Sequence, residues 1–281
     1  VTGSTGGIGT EIAKLLADGG WNLALVNRSA TKSEEQAAEL SRAYPGISVN
    51  VHVADLLDQT EIVGACNEIA DAHPKLEALY NVAGFLSDKR TISPQNIEGH
   101  FAINTIAPYL FSKHLVGPLA AGGRTDALSV VVNFGSSAVN SIKTLNVQAL
   151  VDPAKIGGLM GAYANTKLAL TALTLAMNDA AAASSVSYLT VDPGPTKTPM
   201  TGSGDGMPWF VRLLAPILFK PVDVQAKRIV DSVQQASRDG ESGLYISEGR
   251  RKPFPRLAMD RTLQTEVMNL LDEQTNQLEL D

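Results

Sequence analysis

Cysteine is nearly missing from the sequence. Cys66 is the single one, which excludes an intramolecular disulfide or a thiolate zinc site and suits a reducing compartment. Basic residues are outnumbered: 23 Lys and Arg face 29 Asp and Glu, a formal charge of −6. The basic face that a binder of phosphate backbones needs is therefore lacking. No uninterrupted apolar run nears the ~20 residues that cross a bilayer, and the first residues show no secretory pattern. A cytoplasmic location is the expectation. The chain opens at Val1-Thr2-Gly3, which reads as the end of a strand whose first residues lie upstream. His52, His73, His100 and His114 are scattered without ligand spacing, and no metal is expected.

Hydrophobic residues make up 44% and charged residues 19% of the 281, enough for a sizeable core and too apolar for disorder. Short apolar runs predict strands at Asn22–Arg28, Ile47–Val53, Leu76–Val82, Leu128–Phe134, Val186–Asp192 and Gly243–Ser247. Several are near-continuous Val, Leu and Ile, as in strands covered on both faces. Between them Ile8, Ile12, Leu15 and Leu16 form a helical stripe that Gly19-Gly20 ends. Further helices are expected over Ser33–Tyr44, Gln59–Ala72, Asn104–Leu119 and Ala162–Ala183.

This alternation predicts an α/β protein: a doubly wound parallel sheet of about seven strands, helices on both faces, in three α/β/α layers. Ligands then sit at the carboxyl ends of the strands. With no repeat and no linker, residues 1–281 read as one domain. Residues 138–162 carry no period. Residues 196–222 are rich in Pro, Gly and Met, the character of a functional or mobile loop. The tail, 256–281, has a helical stripe at Leu263, Val267, Leu270 and Leu271.

Thr2-Gly3-Ser4-Thr5-Gly6-Gly7-Ile8-Gly9 follows a strand end and opens a helix. Glycines let backbone approach a pyrophosphate, and a helix N-terminus offers it free N–H groups. Taken alone, the run could also be a tight strand–helix turn. Its Thr-Gly-x-x-x-Gly-Ile-Gly pattern, however, resembles the phosphate-binding motif of the short-chain dehydrogenase/reductase family, and other motifs follow in that family's order. Asp55-Leu56 matches the pair that meets adenine. Asn81-Val82-Ala83-Gly84 matches Asn-Asn-Ala-Gly, and Asn104 matches the helix asparagine. Ser136-Ser137 matches the serine pair, Tyr163-Ala-Asn-Thr-Lys167 matches Tyr-x-x-x-Lys, and Pro193-Gly194 with Thr198 matches the last motif. Gly99–Phe111 and the long gap from Ser137 to Tyr163 are similar to retinol-dehydrogenase-like and WW-domain-oxidoreductase-like members.

The resemblance implies a Rossmann-type fold and an oxidoreductase that interconverts a carbonyl and an alcohol with a nicotinamide cofactor. Cofactor contacts are then expected from Gly3, Ser4, Thr5, Gly7, Ile8 and Gly9, and from Asn27, Arg28 and Ser29. Asp55, Leu56, Asn81, Ala83, Gly84, Tyr163, Lys167, Pro193, Gly194, Thr196 and Thr198 complete the set. The implied catalytic group is Asn104, Ser137, Tyr163 and Lys167. Ser137 would bond the substrate oxygen, Lys167 the nicotinamide ribose, and Asn104 a water that relays protons to Lys167.

The chemistry sets a requirement. A phenol with a pKa near ~10 is a poor base, and bringing it to ~7 takes roughly 4 kcal/mol of preference for the phenolate. A nearby ammonium supplies such preference by charge, and positions 163 and 167 share one helix face. Plainer roles stand beside these. Tyr163 and Lys167 could be an exposed tyrosine with a snorkelling lysine, Ser136 and Ser137 turn residues, and Asn104 or Asp55 helix caps. Asn81 could tie strands, and Ser136 rather than Ser137 could be the contact.

The second strand ends in Asn27-Arg28-Ser29 with Lys32 nearby and no acidic residue. An acidic side chain there would favour NAD(H), whereas a guanidinium pairs with a 2′-phosphate. NADP(H) is therefore expected, with NAD(H) possible. In the family the loop at 196–222 binds substrate. Met200, Met207, Trp209, Phe210, Leu213, Leu214 and Ile217, with Phe85-Leu86 opposite, suit a lipophilic partner, unless the stripe only packs the loop. Homodimers or homotetramers through the helices of Asn104 and Tyr163 are implied too, with Tyr109, Phe111 and Leu115 as contacts or as core. Two other functions fit the same frame. One is a non-catalytic NADP(H)-binding sensor or scaffold. The other is a sugar-nucleotide epimerase or dehydratase, whose glycine spacing and longer C-terminal domain this sequence lacks.

Overall fold

The computed structural model describes residues 1–157, 160–196 and 219–276. Helix α1 (Gly7–Asp18) follows the glycine turn and leads to β1 (Leu23–Asn27). Next come α2 (Ala30–Ala43), β2 (Val49–Val53), α3 (Gln59–Ala72) and β3 (Ala78–Asn81). The short α4 (Gly99–Phe101) runs through a π-helical turn (Ala102–Ile106) into α5 (Ala107–His114), followed by α6 (Val116–Gly122) and β4 (Ser129–Phe134). Then follow α7 (Ala162–Ala180), β5 (Val186–Asp192), α8 (Val222–Arg238), β6 (Leu244–Ser247), β7 (Arg250–Lys252) and α9 (Arg261–Thr275).

β2 pairs with β1, and β3, β4, β5 and β6 pair in that order, all parallel. Val1 and Thr2 lie between the two groups: Thr2 bridges Val26 of β1 and Asn81 of β3. Its N–H donates to the Tyr80 carbonyl at 2.9 Å. The glycine turn therefore leaves the middle of the sheet, between β1 and β3. β7 adds to the edge antiparallel to β6, a departure from the all-parallel expectation.

The strands that read as continuous apolar runs are the central ones. β4 and β5 are buried at every position. Along β4, Val130, Val132 and Phe134 join one apolar cluster and Val131 the other, as the period of two requires. The first cluster contains Ile12 and Leu16 of α1, Leu40 of α2 and Ile229 and Val233 of α8. The second contains residues of α3, α5, α7 and α9, with Leu263, Val267, Leu270 and Leu271 among them. Two helical layers thus sandwich one sheet. Among the described residues, no helix is long and apolar enough to cross a membrane.

Several expectations need correction. Helix α2 starts at Ala30 because Ser29 caps it, accepting the Lys32 N–H. The helix expected over Asn104–Leu119 begins earlier, at Gly99, and Asn104 lies inside it rather than at a cap. Asp58, not Asp55, caps α3, accepting the Thr60 N–H at 2.9 Å. Helix α8 was not among the expected elements, although Ala226, Ile229, Val230 and Val233 form its buried stripe. Tyr109, Phe111 and Leu115 are buried within the chain, and the Tyr109 hydroxyl bonds Asp272 of α9. They serve the core and offer no surface to a second copy.

Candidate active site

The glycine turn is shaped by close approach. Gly3 has φ +67°, and a Cβ on it would stand 2.9 Å from Ala83 Cα. A Cβ on Gly9 would run into the Gly3 carbonyl group, so the first turn of α1 lies against the strand it follows. Gly6 differs, since a Cβ there would meet nothing within 4 Å. As N-cap of α1 it provides no side-chain cap, and with Gly7 and Ile8 it lines the cavity, so the start of the helix is open to an anion. Behind the turn, Ser4 is buried in a polar network. Asn27 Nδ2 donates to the Ser4 hydroxyl at 2.9 Å, and that hydroxyl donates to Gln36 Oε1 at 2.7 Å. Asn27 Oδ1 accepts the Thr5 N–H at 3.2 Å.

A cavity of about 1030 Å³ opens from this turn along the carboxyl ends of the strands. Of the residues expected to meet a cofactor, Gly3, Thr5, Gly7, Ile8, Asn27, Arg28, Asp55, Leu56, Ala83 and Gly84 line it. So do Tyr163, Lys167, Pro193, Gly194 and Thr196. Ser4, Gly9, Ser29 and Asn81 stand behind the wall with structural contacts. Asn81 Nδ2 donates to Asn133 Oδ1 at 2.8 Å, and Asn133 Nδ2 donates to the Thr174 hydroxyl at 3.0 Å, tying β3 and β4 to α7. Thr198 and the apolar side chains from Met200 to Ile217 fall outside the described residues.

Of the four expected catalytic residues, Ser137, Tyr163 and Lys167 line the cavity, with Ser136 beside them. The Ser136 hydroxyl accepts the Ala138 N–H at 3.2 Å. Tyr163 and Lys167 are one turn apart on α7, with Lys167 Nζ 5.9 Å from the Tyr163 ring centre. That ammonium donates to the Phe134 carbonyl at 2.6 Å. Asn104 does not line the cavity. Its Oδ1 accepts the Phe85 N–H at 2.8 Å, and its Nδ2 donates to the Phe85 carbonyl at 2.9 Å and the Thr166 hydroxyl at 3.2 Å. It pins the wall formed by Phe85 and Leu86.

Depth governs the proton affinities. Burial pushes the Tyr163 phenol up to about 12, against the Ser136 hydrogen bond and aided by the charge of Asp192. Burial pulls the Lys167 ammonium down to about 7. In both groups burial is the leading cause, and it acts against the charged form.

Two features were not anticipated from sequence. Asp192 lines the cavity as a buried carboxylate. Glu98 and His100, each fully buried, pair at 2.9 Å. His100 Nε2 accepts the Ser87 N–H at 3.1 Å, so Nδ1 carries the proton toward Glu98. The His100 ring packs 4.8 Å from that of Phe85, supporting the same wall as Asn104. A glutamate two residues before a histidine is no distinctive signal.

Comparison with known proteins accords with this geometry. Residues 1–148 match the sequence profile of the short chain dehydrogenases. Dehydrogenase/reductase SDR family member 12 of Homo sapiens is 29% identical over 174 residues, 62% of this chain and 53% of that protein, so the match spans about half of that relative. Polyprenol dehydrogenase of Homo sapiens is 26% identical over 286 residues, 100% of this chain and 85% of that protein. Retinol dehydrogenase 12 of Mus musculus is 26% identical over 251 residues, 89% of this chain and 77% of that protein. The NADPH-bound carbonyl reductase from chicken fatty liver superposes with a TM-score of 0.68 at 20% identity, covering 90% of this chain and 97% of that one, a likeness of fold. With motifs in order on a doubly wound sheet and more than half its length matching the profile, the chain belongs to the short-chain dehydrogenase family, on its retinol-dehydrogenase-like side.

Proposed function

We propose that the chain is an NADP(H)-dependent oxidoreductase interconverting a carbonyl and an alcohol on a small lipophilic substrate, with Tyr163 as the acid and base. The observation that carries this reading is the convergence of Ser136, Tyr163 and Lys167 on one cavity that begins at the uncapped N-terminus of α1. That opening fits a dinucleotide phosphate. Leu56 and Asp55 border the space for an adenosine, and exposed Arg28 stands at the rim with no acidic residue beside it in sequence. This supports a 2′-phosphate and hence NADP(H).

A bound nicotinamide supplies the hydride. The proton is the protein's task. Tyr163, neutral at working pH, gives its hydroxyl proton to the substrate oxygen as the carbonyl carbon is reduced, and Ser136 donates to the same oxygen. Lys167 lies behind the phenol, where its charge offsets the phenolate left by the transfer. Asn104 keeps the Phe85 wall in place. The further lining of Leu86, Ile103, Met160 and Phe219 favours an apolar substrate.

The test is NADPH consumption against a panel of aldehydes, ketones and quinones. Tyr163→Phe is expected to lower turnover at least about a thousandfold while leaving NADPH affinity within about twofold. Full activity in that variant removes Tyr163 as the acid. NADPH binding by the parent without turnover on any of the panel favours the sensor reading.

A further inference from the structure

Helix α2 turns a polar face inward. A helix laid on a sheet ordinarily presents an apolar stripe, yet the buried residues of α2 are Ser33, Gln36 and Leu40. Leu40 joins the apolar cluster, and the Ser33 hydroxyl donates to the Ser29 carbonyl one turn back at 2.7 Å. Gln36, only 9% exposed, does neither. Burying a carboxamide costs free energy unless its polar atoms find partners, and those of Gln36 both find one residue, Ser4 of the glycine turn. Gln36 Oε1 accepts from the Ser4 hydroxyl at 2.7 Å, and Nε2 donates to the Ser4 carbonyl at 2.6 Å. A carbonyl only accepts, so the nitrogen of the carboxamide is the atom that faces it.

Ser4 is held from two further sides. Thr10 of α1 donates its hydroxyl to the same carbonyl at 2.8 Å, and Asn27 of β1 donates to the Ser4 hydroxyl at 2.9 Å. Ser4 itself is fully buried, while Gly3 and Thr5 on either side of it line the cavity, as do Gly6, Gly7 and Ile8 beyond them. A glycine-rich segment gives up more backbone freedom on ordering than any other, so a turn of this composition keeps its shape through bonds from outside. Gln36 supplies two of them from 32 residues away in sequence. It does not line the cavity, and its effect on a ligand there passes through Ser4.

We propose that Gln36 is a positioning residue for the nucleotide: it braces Ser4 from α2 and so holds residues 6–8 in the shape that receives a pyrophosphate. The inference deepens the reading of this cavity as a dinucleotide site and rests on it. It concerns the phosphates that NADP(H) and NAD(H) share. Arg28, which answers the 2′-phosphate, acts separately.

The test replaces Gln36 by leucine, similar in size and without polar atoms, and measures binding of NADP⁺ and NAD⁺ by isothermal titration calorimetry at about pH 8. Both dissociation constants are expected to rise about tenfold, by the same factor within about twofold. Adenosine 2′-monophosphate, which lacks the pyrophosphate, is expected to bind Gln36→Leu within about twofold of the parent. Unchanged NADP⁺ binding overturns the proposal. An equal loss for adenosine 2′-monophosphate overturns it too, since the whole site has then loosened.

Gln36→Glu adds a rescue, and carries the measurement should Gln36→Leu lack a cooperative thermal transition. At about pH 8 its carboxylate has no proton to give the Ser4 carbonyl, and a similar loss is expected. At about pH 5.5 burial returns the proton to the carboxyl, and NADP⁺ affinity is expected to recover to within about threefold of the parent at the same pH. A deficit that ignores pH overturns the bond to the Ser4 carbonyl as its cause. A parent that binds neither nucleotide removes the dinucleotide reading itself, and the role of Gln36 with it.

Discussion

Replacing Lys167 by methionine should change how stability depends on pH, and the structure sets both sign and size. Burial lowers the Lys167 ammonium from 10.5 to about 7. Each unit is worth about 1.4 kcal/mol, so the whole depression corresponds to about 5 kcal/mol. Because the folded-state value lies below the unfolded one, the unfolded chain holds the extra proton between about pH 7 and 10.5. Stability therefore rises with pH across that window and is lost as pH falls toward 7. Lys167→Met lacks this titration, whereas Cys66, Tyr80 and the remaining groups are common to both proteins. Urea unfolding of parent and variant, followed by far-ultraviolet circular dichroism without nucleotide, isolates the term. From pH 7.5 to 9.5 the parent is expected to gain about 2–3 kcal/mol relative to the variant. Parallel curves, or a parent that gains toward acid, refute the reasoning that burial governs this lysine.

Two other predictions concern the nucleotide end of the cavity. Gly9→Ala drives a methyl group into the Gly3 carbonyl and should cost about 1–3 kcal/mol in urea unfolding. Gly6→Ala, at φ −144° in open space, should leave stability within about 0.5 kcal/mol yet weaken NADPH binding at least about tenfold by filling the place of a phosphate; equal affinity by fluorescence titration would place the phosphate elsewhere. NADPH should bind at least about tenfold more tightly than NADH, with Arg28→Ala removing most of the gap, consistent with one charge-assisted contact. Equal parent affinities would contradict the cofactor choice.

Legibility in the sequence followed physical contrast. Gln59–Ala72 and Val186–Asp192 are read to their exact ends, the first because Asp58 caps a periodic run, the second because every position is buried. β7 offers no such contrast: Arg250, Arg251 and Lys252 are exposed, and the strand is held by pairing with β6 and by the ion pairs of Arg251 with Glu241 and Asp239. Helix α8 has its stripe at Ala226, Ile229 and Val233, but a proline- and glycine-rich stretch before it hides its start. In the site, motif order was enough to gather Tyr163, Lys167 and the glycine turn. It does not choose between Ser136 and Ser137, which both line the cavity. The proton affinities of Tyr163 and Lys167 depend on depth, which a pair of residue types four apart does not encode. Asp192 reads as the last residue of its strand, and nothing in the sequence tells that the strand ends at the cavity.

The wide π turn at Ala102–Ile106 has a consequence for chain length. It spends one residue more than an α-helical path would. A single deletion there would let the helix close smoothly, at no evident cost in backbone hydrogen bonds. It would also swing everything on its amino side by about 100° about the axis. Glu98 and His100 would leave Ser87, and Asn104 would lose its grip on Phe85 or on Thr166. The segment can thus exchange side chains far more readily than it can gain or lose a residue, and its irregularity serves as a spacer that keeps two supports of one cavity wall in phase.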